Sequence, residues 1–222
     1  MIPKVIHYVW VGGKPLTPLA ELCIASWKKY LPDYQLQLWN ESSLPSEVME
    51  HPYVQAMYEQ KKWAFVSDYI RFWALKNEGG IYFDTDTEVL KSFDDLLKHE
   101  AFFGKSKDGF VAAGVIGTVP EHRVIQDILN VYNNDRVFST QRTSPHTVTD
   151  VLERNSYPDV VVYDYQYFNP CNDGEKCTVA KLKLAYTNNH WAESWVPFAK
   201  LRKLFRRLGI TAVSKRMLEL FN

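Results

Sequence analysis

Residues 78–88, Glu-Gly-Gly-Ile-Tyr-Phe-Asp-Thr-Asp-Thr-Glu, set a glycine turn before a short apolar strand and close that strand on two carboxylates one residue apart, Asp84 and Asp86. An apolar run this short, bounded by turn residues, reads as a buried strand, so its acidic end must emerge at the edge of a sheet. Side chains alternate along a strand, and the two carboxylates point the same way as long as the chain stays extended; there they can grip one hard cation together. Left bare, they repel each other. A divalent ion carrying a diphosphate resolves that repulsion. Asp-x-Asp alone is a common pattern. Its position after Gly79-Gly80 and an apolar strand, behind a helix that carries Asp68 and Arg71, is what gives it weight.

A chain of 222 residues can bury a sizeable core. The formal net charge is zero, which gives no support to nucleic-acid binding. That average conceals an asymmetry. Residues 198–222 hold Lys200, Arg202, Lys203, Arg206, Arg207, Lys215 and Arg216 against Glu219, so the body is acidic and the tail basic. We therefore expect a domain over 1–197 and a basic helical tail over 198–222. Cys23, Cys171 and Cys177 are too few and too scattered for a disulfide framework or a zinc site, and reduced thiols in a cytoplasmic protein are expected. The N-terminal run lacks the plan of a signal peptide, and no apolar run approaches the roughly 20 residues of a membrane span.

Ile2 to Val11, closed by Gly12-Gly13, reads as a buried first strand. Helical apolar spacing follows over 18–30, with Thr17 as N-cap and Pro18 at the first helical position, and then a strand over 34–39. Strand, helix, strand is a parallel α/β unit. Further helices are expected over 52–62, 64–77, 92–98, 121–132 and 146–152, strands over 81–84, 101–104, 110–118 and 160–163, and a loop over 164–178. In the helix over 64–77, Asp68 and Arg71 stand three apart and share a face. Buried there, they form either a structural ion pair or part of a site.

Four segments in order carry a resemblance: Ile-His-Tyr-Val-Trp-Val-Gly-Gly at 6–13, Ser-Asp-Tyr-Ile-Arg-Phe-Trp-Ala-Leu at 67–75, Gly-Gly-Ile-Tyr-Phe-Asp-Thr-Asp at 79–86 and His-Trp-Ala-Glu-Ser-Trp at 190–195. Over about residues 1–197 the chain resembles the Asp-x-Asp sugar transferases of glycosyltransferase family 32, which include capsular polysaccharide transferases and initiating mannosyltransferases, and it is similar to the clostridial toxin glucosyltransferase domains. The resemblance implies a GT-A type nucleotide-sugar-binding fold, α/β with a mostly parallel central sheet flanked by helices. It implies that Val9 and Trp10 meet the donor's base, with the indole stacked on it, and that Asp68 and Arg71 hold the donor's sugar. Asp84 would contact ribose or sugar hydroxyls, and Asp86 would bind Mn²⁺ or Mg²⁺. His190, Ser194 and Trp195 match a segment that closes over the diphosphate. His190 as a further metal ligand would favour Mn²⁺, with Asn188, Asn189 and Ser194 as alternatives, and the Trp195 indole could reach the leaving oxygen.

The implied activity is metal-dependent, retaining transfer of a hexose from a nucleotide sugar, UDP-hexose before a guanosine donor, to a glycan or lipid-linked glycan in surface polysaccharide synthesis. With no carboxylate nucleophile marked by the sequence, front-face attack is the expected route. Leu201, Leu204, Phe205 and Leu208 form one stripe among cations, so the tail either lies on an anionic inner leaflet or docks on the body. Two rivals remain open on the residues: a sugar-nucleotide-binding protein without turnover, and a metal phosphohydrolase using Asp84 and Asp86.

Overall fold

The computed structural model describes residues 1–134, 140–172, 175 and 177–192. The expected boundary at 197 and the basic tail lie outside the described residues. In chain order the elements are β1 (Val5–Val9), α1 (Pro18–Tyr30), β2 (Gln35–Trp39), α2 (Ser46–Met49), α3 (Pro52–Glu59), α4 (Trp63–Glu78), β3 (Gly80–Phe83) and β4 (Thr87–Val89). They continue with β5 (Ala101–Lys105), β6 (Val111–Thr118), α5 (Arg123–Asn134), α6 (Ser144–Arg154), β7 (Val160–Tyr163), α7 (Tyr165–Phe168), α8 (Val179–Leu182) and β8 (Thr187–Asn189).

Six strands form one sheet in the order β2-β1-β3-β6-β5-β7, in which β6 runs against the other five. The β1–α1–β2 unit is parallel as its spacing predicts, with Val5 opposite Gln35 and Val9 opposite Trp39. Helix α1 starts where Thr17 accepts from the Ala20 amide and Pro18 supplies a preset φ. One face of the sheet packs on α3, α4, α5 and α6 through residues such as Val54, Phe72, Ile128 and Val148. The other packs on α1 and α7 through Trp27, Phe93, Phe102 and Phe168. Helix α4 is apolar nearly all round because it is covered by both the sheet and its helical neighbours. It ends at Gly79, whose φ of 64° and crowding by Pro120 and the Thr118 carbonyl leave no room for a Cβ.

Three expectations are corrected, and one ribbon is added. Residues 92–98 form turns, not a helix: Leu96 and Leu97 donate three residues back to Phe93 and Asp94, and no longer ladder follows. The expected loop over 164–178 contains α7, started by the Asp164 carboxylate accepting from the Gln166 amide. Cys171 and Cys177 are joined in a disulfide, with their Cα atoms 5.8 Å apart; Cys23 alone is a free, buried thiol, pushed up to about 12 by burial with Asp86 and Glu88 nearby. Finally, β4 and β8 pair antiparallel in a ribbon that local periodicity does not announce. No helix among the described residues is long and apolar enough to cross a membrane.

The buried His7 ring joins three elements. Its Nδ1 accepts from the Trp39 indole at 3.1 Å, which leaves the proton on Nε2 to donate to the Gly79 carbonyl at 2.8 Å. Burial pushes His7 down to about 4, with the Gly79 carbonyl opposing. The folded protein therefore disfavours the charged ring, and the stability that the neutral ring contributes is complete above about pH 6.5 and lost as the pH falls towards 4. His7→Gln should destabilise the protein by about 1–3 kcal/mol at pH 7.5. The gap between wild type and variant should close as the pH falls from 6.5 to 4, measured by urea unfolding across that range.

Candidate active site

The carboxyl ends of β1 and β3 and the amino-terminal half of β6 share one edge of the sheet. In the β1–β3 register, His7 lies opposite Tyr82; carried two residues forward, it sets Val9 beside Asp84. Beyond β3 the chain turns. The Thr87 amide donates to the Asp84 carbonyl at 3.0 Å, so Asp84-Thr85-Asp86 is a bend and not the extended pair that alternation assumes. The reason is that β3 belongs to the main sheet, whereas β4 is held elsewhere. Helix α1 grips β4 through the Trp27 indole on the Thr87 carbonyl, 2.7 Å, and Ser26 Oγ accepting from the Val89 amide, 2.9 Å, while β8 pairs its other edge.

Asp84 is fixed from below. Its Oδ1 accepts from the Tyr82 hydroxyl at 2.9 Å and lies 3.3 Å from Arg71 Nη2. Arg71 is itself buried and saturated: Nη1 donates to the Ala113 carbonyl at 2.8 Å, Nη2 meets Asp68 Oδ1 at 2.8 Å and Ser67 Oγ at 3.0 Å, and Nε donates to the Ser67 carbonyl at 3.3 Å. Its guanidinium also lies 4.6 Å over the Tyr82 ring. Burial works against this charge, but Asp84, Tyr82 and Asp68 outweigh it and hold Arg71 above its ordinary range. Burial pushes the Asp68 carboxyl up to about 6, against the pull of Arg71 and of the nearby Ser144 hydroxyl and amide. Asp68 and Arg71, for which the sequence left two readings open, thus form an ion pair, and that pair is attached to the site through Asp84.

Asp86 is half-buried on the bend and its Oδ2 accepts from the Ala192 amide at 2.7 Å. Burial pushes its carboxyl up to about 6, and the Asp84 charge adds to this. The β4–β8 register sets His190 opposite Asp86, and the His190 amide donates to the Asp86 carbonyl at 3.0 Å. The His190 ring, however, is taken by Glu88, Nε2 to Oε2 at 3.0 Å. Asn189 Oδ1 accepts from the Trp191 amide at 2.7 Å, which turns its NH₂ towards the space beside Gly114 and Asp84. Asn188 faces the Cys177 sulfur, 3.5 Å away. The disulfide loop also seats this segment, since the Trp191 indole donates to the Cys171 carbonyl at 2.8 Å.

Trp10 stands half-buried at the end of β1 with its indole N–H donating to the Lys14 carbonyl at 2.7 Å, and Val9 lies in the core beneath it. Ser194 and Trp195 lie outside the described residues. The structure therefore gathers Asp68, Arg71, Asp84 and Asp86 into one charged array, with Trp10 on the same edge and His190 across the ribbon. Tyr82, Gly114, Ser144 and Ala192 complete this array without having been singled out from the sequence. Tyr82 is two residues before Asp84 on one strand face, and Gly114 interrupts a strand, so both had a local signal. Ser144 and Ala192 arrive through tertiary contact alone. No cluster of three or more His, Cys, Asp or Glu able to hold a metal occurs among the described residues. A pair of hard carboxylates whose mutual repulsion raises one of them suits Mg²⁺ or Mn²⁺, which take one or two carboxylates and complete their shell with phosphate and water.

Residues 19–103, which contain all four charged residues, match a glycosyltransferase sugar-binding region containing the DXD motif. The chain is 29% identical to an uncharacterized glycosyltransferase of Acanthamoeba polyphaga mimivirus, over 92% of this chain and 88% of the relative. It is 30% identical to a mannosyl phosphorylinositol ceramide synthase of Saccharomyces cerevisiae over 55% of this chain, and spans about a third (33%) of that relative. In fold it is similar to the PaToxG glycosyltransferase, with a TM-score of 0.56 at 21% identity and 69% of each chain covered. It is also similar to a glycosyltransferase involved in glycosylation of the major capsid of PBCV-1, with a TM-score of 0.50 at 14% identity over 95% of this chain and 100% of that one. The fold is thus of the GT-A type, and residues 19–103 match the DXD-containing sugar-binding region of glycosyltransferases, the class to which the similar proteins belong.

Proposed function

We propose that this glycosyltransferase is metal-dependent and moves a hexose, with retention of configuration, from a nucleoside diphosphate sugar to a glycan or lipid-linked glycan. The observation that carries the reading is the bend at 84–86, which presents two carboxylates at the carboxyl edge of the sheet, one braced by Arg71 and the other by the Ala192 amide. Asp86, with Asp84 beside it, would hold Mn²⁺ or Mg²⁺; when bound, the ion neutralises the diphosphate and stabilises its departure. Everything else falls to the chain. Trp10 offers a flat ring to the base, and the free amide hydrogens of Asn189 suit a phosphate oxygen better than a metal. His190, cross-strand from Asp86 with its ring now on Glu88, and Ser194 remain the proposed candidates for a further protein ligand.

Asp68 would accept from sugar hydroxyls with the oxygen that Arg71 leaves open, and Arg71 holds Asp84 in place. A retained configuration without a marked nucleophile fits front-face attack, in which positioning of the acceptor hydroxyl and stabilisation of the leaving diphosphate are the enzyme's main contributions. Trp195 and Ser194 remain the proposed partners of that leaving group, and the basic tail the proposed contact with an anionic membrane surface. For the donor, UDP-hexose is the first reading. Mannosyl transfer from a guanosine donor is the second, supported by the names of relatives such as the inositol phosphoceramide mannosyltransferase of Schizosaccharomyces pombe.

Calorimetric titration of UDP and of GDP into the metal-free protein, with and without Mn²⁺, decides between them. Binding of one nucleotide in the presence of Mn²⁺ is expected, and binding of neither with or without the ion would overturn the reading. Asp86→Ala should abolish metal-dependent donor binding and lower turnover by at least about 100-fold, while the melting temperature stays within roughly 4 °C. Full activity in that variant would remove Asp86 from the site.

Gly114 gives a sharper test of geometry. A Cβ there would sit 2.8 Å from Asp84 Oδ2, a carboxylate that Tyr82 and Arg71 prevent from moving aside. Gly114→Ala should therefore cut kcat/KM for donor hydrolysis by about 10-fold or more through misplacement of Asp84, at a small cost in melting temperature.

A further inference from the structure

We infer that Glu41 is a positioning residue of the base-binding loop: by holding the Gly12-Gly13 turn, its carboxylate sets the orientation of the Trp10 ring and so the affinity for the nucleotide. The inference rests on the donor-site reading above, in which Trp10 offers its ring to the base. Glu41 Oε1 accepts from the Gly12 amide at 2.6 Å and from the Tyr58 hydroxyl at 2.8 Å, so one oxygen ties the loop after β1 to α3. Glu41 itself sits in a turn that Asn40 closes, with Asn40 Oδ1 accepting from the Ser42 amide at 3.0 Å and the Ser43 amide at 3.2 Å. Although Glu41 is exposed, Tyr58 is half-buried and edge-on to Trp63 at 4.9 Å, which gives the carboxylate a fixed second partner. Burial works against the Glu41 charge, but the Gly12 amide and the Tyr58 hydroxyl favour it, and the carboxyl lies below its ordinary range.

From the carboxylate to the ring the chain of contacts is short. Trp10 is fixed at its backbone, where its amide donates to the Trp39 carbonyl at 3.0 Å, but its indole N–H donates to the Lys14 carbonyl at 2.7 Å, beyond the two glycines. Gly12 and Gly13 have φ of 97° and 67°, a turn in which no side chain supplies stiffness. Gly12 rests instead against Trp63, where a Cβ would come within 2.7 Å of the indole. With the Glu41 carboxylate removed, the Gly12 amide loses this acceptor, and the turn is free to carry Lys14 and the ring bound to it away from the base. A residue that only tied α3 to the end of β2 would act on stability and leave both the ring and the nucleotide affinity unmoved.

The test compares Glu41→Ala and Glu41→Gln with wild type in calorimetric titration of UDP, GDP and inorganic pyrophosphate, each in Mn²⁺, together with the ¹⁵N signal of the Trp10 indole and the melting temperature. Glu41→Ala should weaken binding of the preferred nucleotide by about 10-fold, shift the Trp10 signal, and melt within a few degrees of wild type. Pyrophosphate carries no base, and its affinity should stay as in wild type. Glu41→Gln keeps an acceptor oxygen without the charge and should recover most of the loss. Unchanged nucleotide affinity, an unmoved Trp10 signal, or equal weakening of nucleotide and pyrophosphate in Glu41→Ala each overturn the proposal. Wild-type protein that binds neither nucleotide counts against the donor-site reading and not against Glu41. The Trp10 signal then decides alone: a shift in Glu41→Ala that Glu41→Gln reverses supports the positioning role, and an unmoved signal rejects it.

Discussion

The buried guanidinium of Arg71 is the interaction on which the rest of the site depends. It reaches Ser67 and Asp68 on its own helix, the Ala113 carbonyl of β6, and Asp84 at the end of β3, and it lies over the Tyr82 ring. A cation buried this deeply costs several kcal/mol unless its donors are all met, and removing one partner of such a set is far more damaging than never having had it. Arg71 therefore fixes α4, β3 and β6 relative to one another at the edge where the carboxylates emerge. The charge count follows from the same contacts. Asp68, Asp84 and Asp86 against Arg71 leave two negative charges in excess, which is the charge of one divalent ion.

The reversed strand β6 is what brings backbone into this array. Because it runs against its neighbours, its early residues Ala113 and Gly114 lie at the carboxyl ends of the parallel strands, so that a strand interior supplies both an acceptor for Arg71 and open space for Asp84. On the other side of the bend, β4 is held by α1 and β8 and not by the main sheet. Asp84 and Asp86 thus belong to two different supports separated by one residue, and the bend between them is where those supports meet.

Much of this was legible in the chain. Thr17-Pro18 marks the start of α1, the unbroken apolar spacing of 64–77 marks α4, and the glycine pair marks its end, because each signal depends on residues within a turn or two of one another. The Asp84–Asp86 pair was legible for the same reason, whereas its link to Asp68 and Arg71 was implied by the family resemblance and not by spacing. The bend was not, since it is imposed by the pairing of Thr87 with Asn189, about a hundred residues away in sequence. The same holds for Ser144 near Asp68: it is a consequence of where a distant segment docks, and spacing carries no trace of it. Residues 92–98 misled in the opposite sense, where a cap-like Ser-Phe-Asp-Asp opens turns that tertiary packing never extends into a helix.

Two supports for two carboxylates also explain why the pair is unequal. Asp84 is met by a hydroxyl and a guanidinium. Asp86 meets a single backbone amide from the 187–192 segment, and burial together with the Asp84 charge raises its carboxyl. A cation arriving at the bend gains most at the carboxylate whose charge is least compensated by the protein. On the proposed reading the ion would go to Asp86 first and Asp84 would be the member that Arg71 keeps preorganised, and both follow from which groups of the fold each carboxylate touches.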